Sequence, residues 1–223
     1  MSMRVKAAIS SAIIGLAASA AWAEAPDELT LIVNRDEDSA TYYLSMPADL
    51  IGPVLASDPA LLFSDNGRVP IEEFRRVGSF DLADDIFDNI TGSQGGDAFA
   101  FEAMSMMVHP TDTPLPFEAP WDAYTAIAVC TVQYDPDKLV PGLLQTYYGG
   151  FTDQISGDAP LSLHFPETGR DALEIVVHRY ESGRLMGTDV QVLDDGGSLM
   201  IETGKTVAGS GWMRSVGSWL GLL

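Results

Sequence analysis

Residues 173–202 read LEIVVHRYESGRLMGTDVQVLDDGGSLMIE, and this stretch decides the fold class. Leu173–Tyr180, Arg184–Leu193 and Ser198–Glu202 are rich in β-branched and apolar residues. Glu181-Ser182-Gly183 and Asp194-Asp195-Gly196-Gly197, which separate them, have the chemistry of tight turns. The pattern predicts an antiparallel meander in the C-terminal half, with Leu161–Phe165 as a further strand before it. Near the other end, Leu29–Val33 and Thr41–Leu44 flank the polar cluster Asp36-Glu37-Asp38-Ser39, which predicts a hairpin. Ala98–Val108 is a long apolar run bounded by Gly and Pro and is expected to be a strand. Tyr124–Val132 is apolar on both faces, as a central buried strand would be, with Cys130 as a small buried apolar residue.

Helical signals are fewer. Ser79 is a suitable N-cap, and Phe80, Ala83, Phe87 and Ile90 recur at helical spacing before Gly92–Gly96. Asp137–Tyr148, with Leu139, Leu143, Leu144 and Tyr147 and then Gly149-Gly150, predicts a second short helix. A third, in Ala48–Phe63, is interrupted by Pro53 and Pro59. The expected architecture is α+β. It is mainly antiparallel sheet, with two or three short helices covering one face and an amphipathic segment at the C-terminus. Prolines at 110, 114, 116 and 120 mark an extended seam at 110–120, which cannot pair as a central strand.

Composition narrows the function. The 223 residues carry 12 Lys and Arg against 32 Asp and Glu, a formal charge of −20, with 46% apolar residues. That apolar mass is too large for a disordered acidic tail. The charge excludes nucleic-acid binding, which needs a basic surface, and disfavours anionic lipid. One Cys rules out a disulfide framework and any Cys-based zinc site.

The N-terminus carries an address. Arg4 and Lys6 precede a small-residue apolar stretch, Ala7–Ala20, and then Ala21-Trp22-Ala23. This is the pattern of a secretory signal peptide over 1–23 with cleavage after Ala23, and the apolar stretch is short of the ~20 residues that span a bilayer. The expected product is a single soluble domain over 24–223, exported to the periplasm, with no transmembrane span.

Motifs with chemistry are sparse. Gly204-Lys205-Thr206 lacks the glycine of a phosphate-binding loop, because Leu199 stands in its place. Leu62–Phe74 resembles a calcium loop only in part, since Leu62 occupies the position of the first carboxylate. Asp81, Asp84, Asp85 and Asp88 line one side of the first helix as a solvated acidic face. Met104-Ser105-Met106-Met107-Val108-His109 offers thioethers and an imidazole, ligand types for Cu(I), with Met107 and His109 as the metal candidates. On a regular strand, however, Met104 and Met106 point one way while Met107 and His109 point the other.

For hydrolysis there is no Gly-x-Ser-x-Gly and no His-Glu-x-x-His, and His109, His164 and His178 are scattered. Trp121 and the many acids leave a paired-carboxylate glycosidase open. At the C-terminus, Trp212, Val216, Trp219, Leu220 and Leu223 form a helical stripe. Its expected role is packing on the parent sheet, with docking on a membrane or periplasmic protein through Trp212 and Trp219 as the alternative. The reading that fits best is a non-catalytic binding or accessory protein without a cofactor. A hydrolase using a carboxylate or His–carboxylate pair, or copper handling through 104–109, are the alternatives. N-terminal sequencing of the exported protein should begin at Glu24; a retained Met1 in the cytoplasmic fraction would remove the premise of export.

Overall fold

A computed structural model describes residues 28–50, 67–75, 79–128, 135, 137, 139–167 and 172–203. The expected signal peptide 1–23, Cys130 and the expected stripe Trp212–Leu223 lie outside the described residues. The strands are β1 (Glu28–Arg35), β2 (Ala40–Pro47), β3 (Thr91–Gln94), β4 (Asp97–Phe99), β5 (Glu102–Pro110), β6 (Leu144–Thr152), β7 (Leu161–His164), β8 (Ala172–Glu181), β9 (Arg184–Asp194) and β10 (Ser198–Ile201). Among the described residues two helices exceed two turns: α1 (Ser79–Asn89) and α2 (Pro120–Ala128). The mixed, sheet-rich α+β class is as expected.

Six strands form one sheet in the order β5-β6-β2-β1-β8-β9, and four form another in the order β10-β7-β3-β4. Every pairing is antiparallel except β1 with β8, which is parallel. The β1–β2 hairpin closes through Asp36 N–H donating to the Ser39 carbonyl at 2.9 Å. The β8–β9 hairpin turns on Ser182 and Gly183, both with positive φ (47° and 76°), the type I′ geometry that suits strand twist. The meander stops there. β10 crosses to the smaller sheet and pairs with β7 rather than β9.

Two apolar layers flank the six-stranded sheet. On one face Leu29, Leu31, Val33, Leu44, Met106 and Tyr148 meet Leu161, Leu163 and Leu199 of the smaller sheet and Leu82, Ile86 and Phe87 of α1. On the other, Ile32, Tyr43, Tyr147 and Tyr180 meet Ala123, Ala126 and Ile127 of α2. The helices therefore cover opposite faces, not one.

Three segments depart from expectation. Pro120–Ala128 is a helix where a central strand through Val132 was predicted, and 129–132 lies outside the described residues. Proline opens it, alanine is the best helix former, and Ala123, Ala126 and Ile127 supply a buried stripe at i, i+3, i+4. The apolar run Ala98–Val108 divides between β4 and β5, which belong to different sheets. In place of the helix predicted over Asp137–Tyr148, the described residues hold 3₁₀ conformation at Asp137 and over Pro141–Leu143, and then β6.

Gly149 and Gly150, read as a helix stop, sit inside β6 because both helices press on that strand. A Cβ at Gly150 would lie 2.4 Å from Phe87 Cζ of α1, and one at Gly149 would lie 3.0 Å from Ile127 Cδ1 of α2. Gly150→Ala should therefore cost ~1–3 kcal/mol through overpacking. Phe87→Leu, which removes the ring tip, should recover part of that loss. Urea unfolding of the two single variants and the double variant checks it, and strictly additive losses would refute the contact.

Candidate functional site

The site begins with a strand irregularity. In the β5–β6 pairing, Ala103 faces Gly150 while Ser105 faces Gly149, so Met104 is the extra residue of a bulge. A Cβ at Gly149 would be 3.4 Å from Met104 Cβ and Sδ, so Met104 packs over the small residue of the neighbouring strand. Regular alternation would have paired Met104 with Met106. Instead, Met106 is fully buried between the sheets, and Met104 lines a surface groove together with Met107.

That groove encloses about 270 Å³ beside β5, the end strand of the six-stranded sheet. Met104, Ser105 and Met107 form the β5 side. Arg75, Ser79 and Phe80 contribute from around the start of α1, and Tyr124, Ile127 and Ala128 from α2. Arg75 is positioned by its neighbour: Phe74 is buried in the inter-sheet core and its N–H donates to the Pro70 carbonyl at 2.9 Å.

Phe80 departs from the sequence expectation and helps define the site. The buried stripe of α1 is Leu82, Ala83, Ile86 and Phe87, which leaves Phe80 off the stripe and 55% exposed. Tyr124 is 45% exposed and stacks on Trp121, itself 73% exposed, with ring centroids 5.8 Å apart. Exposed aromatics clustered round an apolar groove are a recognition feature rather than core. Neither feature had a sequence signal: by spacing Phe80 falls with Ala83 and Phe87, and the bulge leaves no trace in a period-two reading.

His109 lies on β5 and is fully buried. Its Nε2–H donates to the Ala126 carbonyl at 2.7 Å, which makes Nε2 the protonated nitrogen of the neutral ring and ties β5 to α2. Its ring meets Tyr147 edge-on at 5.3 Å, and Nδ1 is buried with no hydrogen-bond partner. Burial drives the His109 pKa below the usual imidazole value; the Ala126 bond opposes this and the Arg75 charge adds to it.

Of the two metal candidates, Met107 reaches the groove while His109 has one nitrogen committed to Ala126. Among the described residues no three His, Cys, Asp or Glu side chains converge on a metal position. The partner-binding candidates Trp212 and Trp219 lie outside the described residues.

The other histidines are elsewhere. His164 Nδ1 is 3.2 Å from the Ser198 hydroxyl, across the β7–β10 pair. His178 Nδ1 is 2.9 Å from the Thr188 hydroxyl, across β8–β9. Partial burial lowers the His178 pKa, and the Glu118 charge opposes that. The structure thus brings none of the three histidines together. No helix of the described residues is long and apolar enough to cross a membrane. Set against known protein families and curated proteins, the chain matches none.

The burial of His109 has a pH signature. Its folded pKa lies below the unfolded value near 6.5, so the unfolded chain takes up this proton first as pH falls. The stability from neutral His109 is complete above that value and is lost as pH falls through it toward the folded pKa. The urea midpoint of the parent should drop between about pH 7.5 and about pH 5.5, where carboxylates stay ionised. In His109→Gln the drop should be smaller. Equal slopes in the two proteins would contradict the neutral buried imidazole.

Proposed function

We propose that this is an exported, non-catalytic binding protein that holds an apolar ligand in the groove beside β5. The observation that carries this reading is the pairing of an apolar groove with exposed Phe80, Tyr124 and Trp121 outside both core layers. Such rings, left in water, gain by being covered: ~25 cal/mol per Å² of apolar surface removed. Export rests on the pattern of residues 1–23, and the periplasm is the proposed compartment. The terminal stripe with Trp212 and Trp219 is proposed as a separate segment that packs on the parent sheet, or meets a membrane or periplasmic protein.

An uncharged apolar dye such as Nile red should bind the folded protein with one-to-one stoichiometry. Phe80→Ala combined with Tyr124→Ala, both exposed sites with little to lose in stability, should weaken it about tenfold, or ~1.4 kcal/mol. Ser105→Trp, filling the groove from β5, should abolish it. A folded protein that leaves the dye unbound would end this reading. Turnover in a screen of glycoside, ester and peptide substrates, lost on changing His164 or His178, would put a hydrolase in its place.

One observation favours a second reading. The bulge places the Met104 thioether in the same groove as Met107, two soft ligands for Cu(I). Stoichiometric Cu(I) binding lost in both Met104→Leu and Met107→Leu would favour copper handling over the apolar ligand.

A further inference from the structure

The charge distribution round the groove is the reverse of the molecule's. The chain carries 32 acids and 12 Lys and Arg, yet among the described residues no Asp or Glu lines the groove and Arg75 does. Four other described arginines are placed differently. Arg35 donates to the Gly157 carbonyl, Arg68 pairs with Asp137 at 3.3 Å, Arg179 pairs with Asp189 at 2.8 Å, and Arg184 sits exposed at the β8–β9 turn. Arg75 is half-buried in the wall of the groove beside β5, while Arg35 and Arg179 line a different cleft that also contains Glu181 and Glu202.

We infer that the groove selects a single-chain amphiphile with an anionic carboxylate head, its head on Arg75 and its alkyl chain along Met104, Met107 and Ile127. The inference rests on the apolar-groove reading and names the ligand class. A guanidinium stays charged, and its five donors serve more than one acceptor, so any existing contact of Arg75 does not use up its capacity. Arg75 Nε and Nη2 are buried, so the head meets the guanidinium through its charge rather than a bidentate fork, and the apolar surroundings strengthen that attraction relative to water.

Unbranched thioethers adapt to an alkyl chain better than branched side chains do. The volume of about 270 Å³ lies just below the ~300–1,000 Å³ of drug-sized ligand sites, and so favours one chain over two. The overall charge of −20 repels anions at long range, but physiological salt screens beyond ~8 Å. Inside that distance the local cation decides the outcome.

The test uses the mature full chain and displacement of bound Nile red by decanoate, decanol and decyltrimethylammonium, each below its aggregation concentration. Decanoate should displace the dye at about tenfold lower concentration than decanol, and the cation should be weakest. Arg75→Gln, shown folded by circular dichroism, should erase the advantage of decanoate and leave decanol unchanged. Arg75→Lys should keep a part of it. Equal displacement by decanoate and decanol in the parent protein would overturn the anion assignment while leaving the apolar groove standing. Failure of all three, or of the dye itself, to bind would overturn both. Binding to phosphatidylglycerol vesicles without decanoate displacement would move the surface to a bilayer and also overturn the inference.

Discussion

β1 is buried on both faces, and the rest of the molecule is arranged round that constraint. Leu29, Leu31 and Val33 face the inter-sheet core while Ile32 faces the layer under α2. A strand so placed needs hydrogen-bonded neighbours on both sides and an apolar cover above and below. β2 supplies one neighbour locally through a short turn. The other is β8, reached only after most of the chain has been laid down, and it runs parallel. A parallel partner needs a long crossover, and here the crossover contains β2, α1, three strands of the smaller sheet (β3, β4 and β7), β5, α2 and β6. The covering elements are thus contained in the connection that the central pairing requires.

What was legible in the sequence was local. The two hairpins, α1 and the strand at 161–164 each carry their own period and turn residues within about a dozen positions. The β1–β8 pairing has no local signature, because parallel neighbours share no turn. Pro120–Ala128 misled through an apolar character on both faces, shared by buried strands and by alanine-rich helices. Gly149-Gly150 misled more instructively. Glycine stops helices, but it also lets a helix approach a strand, and only the tertiary placement of Phe87 and Ile127 distinguishes the two roles.

The candidate site was half legible. The Met104–His109 segment stood out by composition, but alternation assigned Met104 to the wrong side, because one extra residue in a strand reverses every position before it. Phe80, counted in the helical stripe, proved to be outside it. The groove is therefore a product of misfits: a bulge in an end strand, a helix whose first aromatic misses its stripe, and a second helix ending on the opposite face. Each is a minor departure alone. Together they leave Phe80, Met104 and Tyr124 outside both core layers, beside the buried Met107 of one layer and Ile127 of the other.

Such a surface carries a hazard, and the acidic balance answers it. An end strand next to exposed Phe80, Trp121 and Tyr124 is a template for self-association. The bulge interrupts the regular ladder that another strand would need, and a formal charge of −20 sets copies of the chain against one another. Among the acids near the groove, Asp81 and Asp84 of α1 are exposed and stand outside it. That arrangement repels a second copy at a distance while leaving the groove free of negative charge at contact. A large acidic partner meets the repulsion of the whole surface. A small anion with an apolar tail, once within a screening length, meets mainly Arg75. On this reading net charge and groove charge have opposite signs because they act at different ranges.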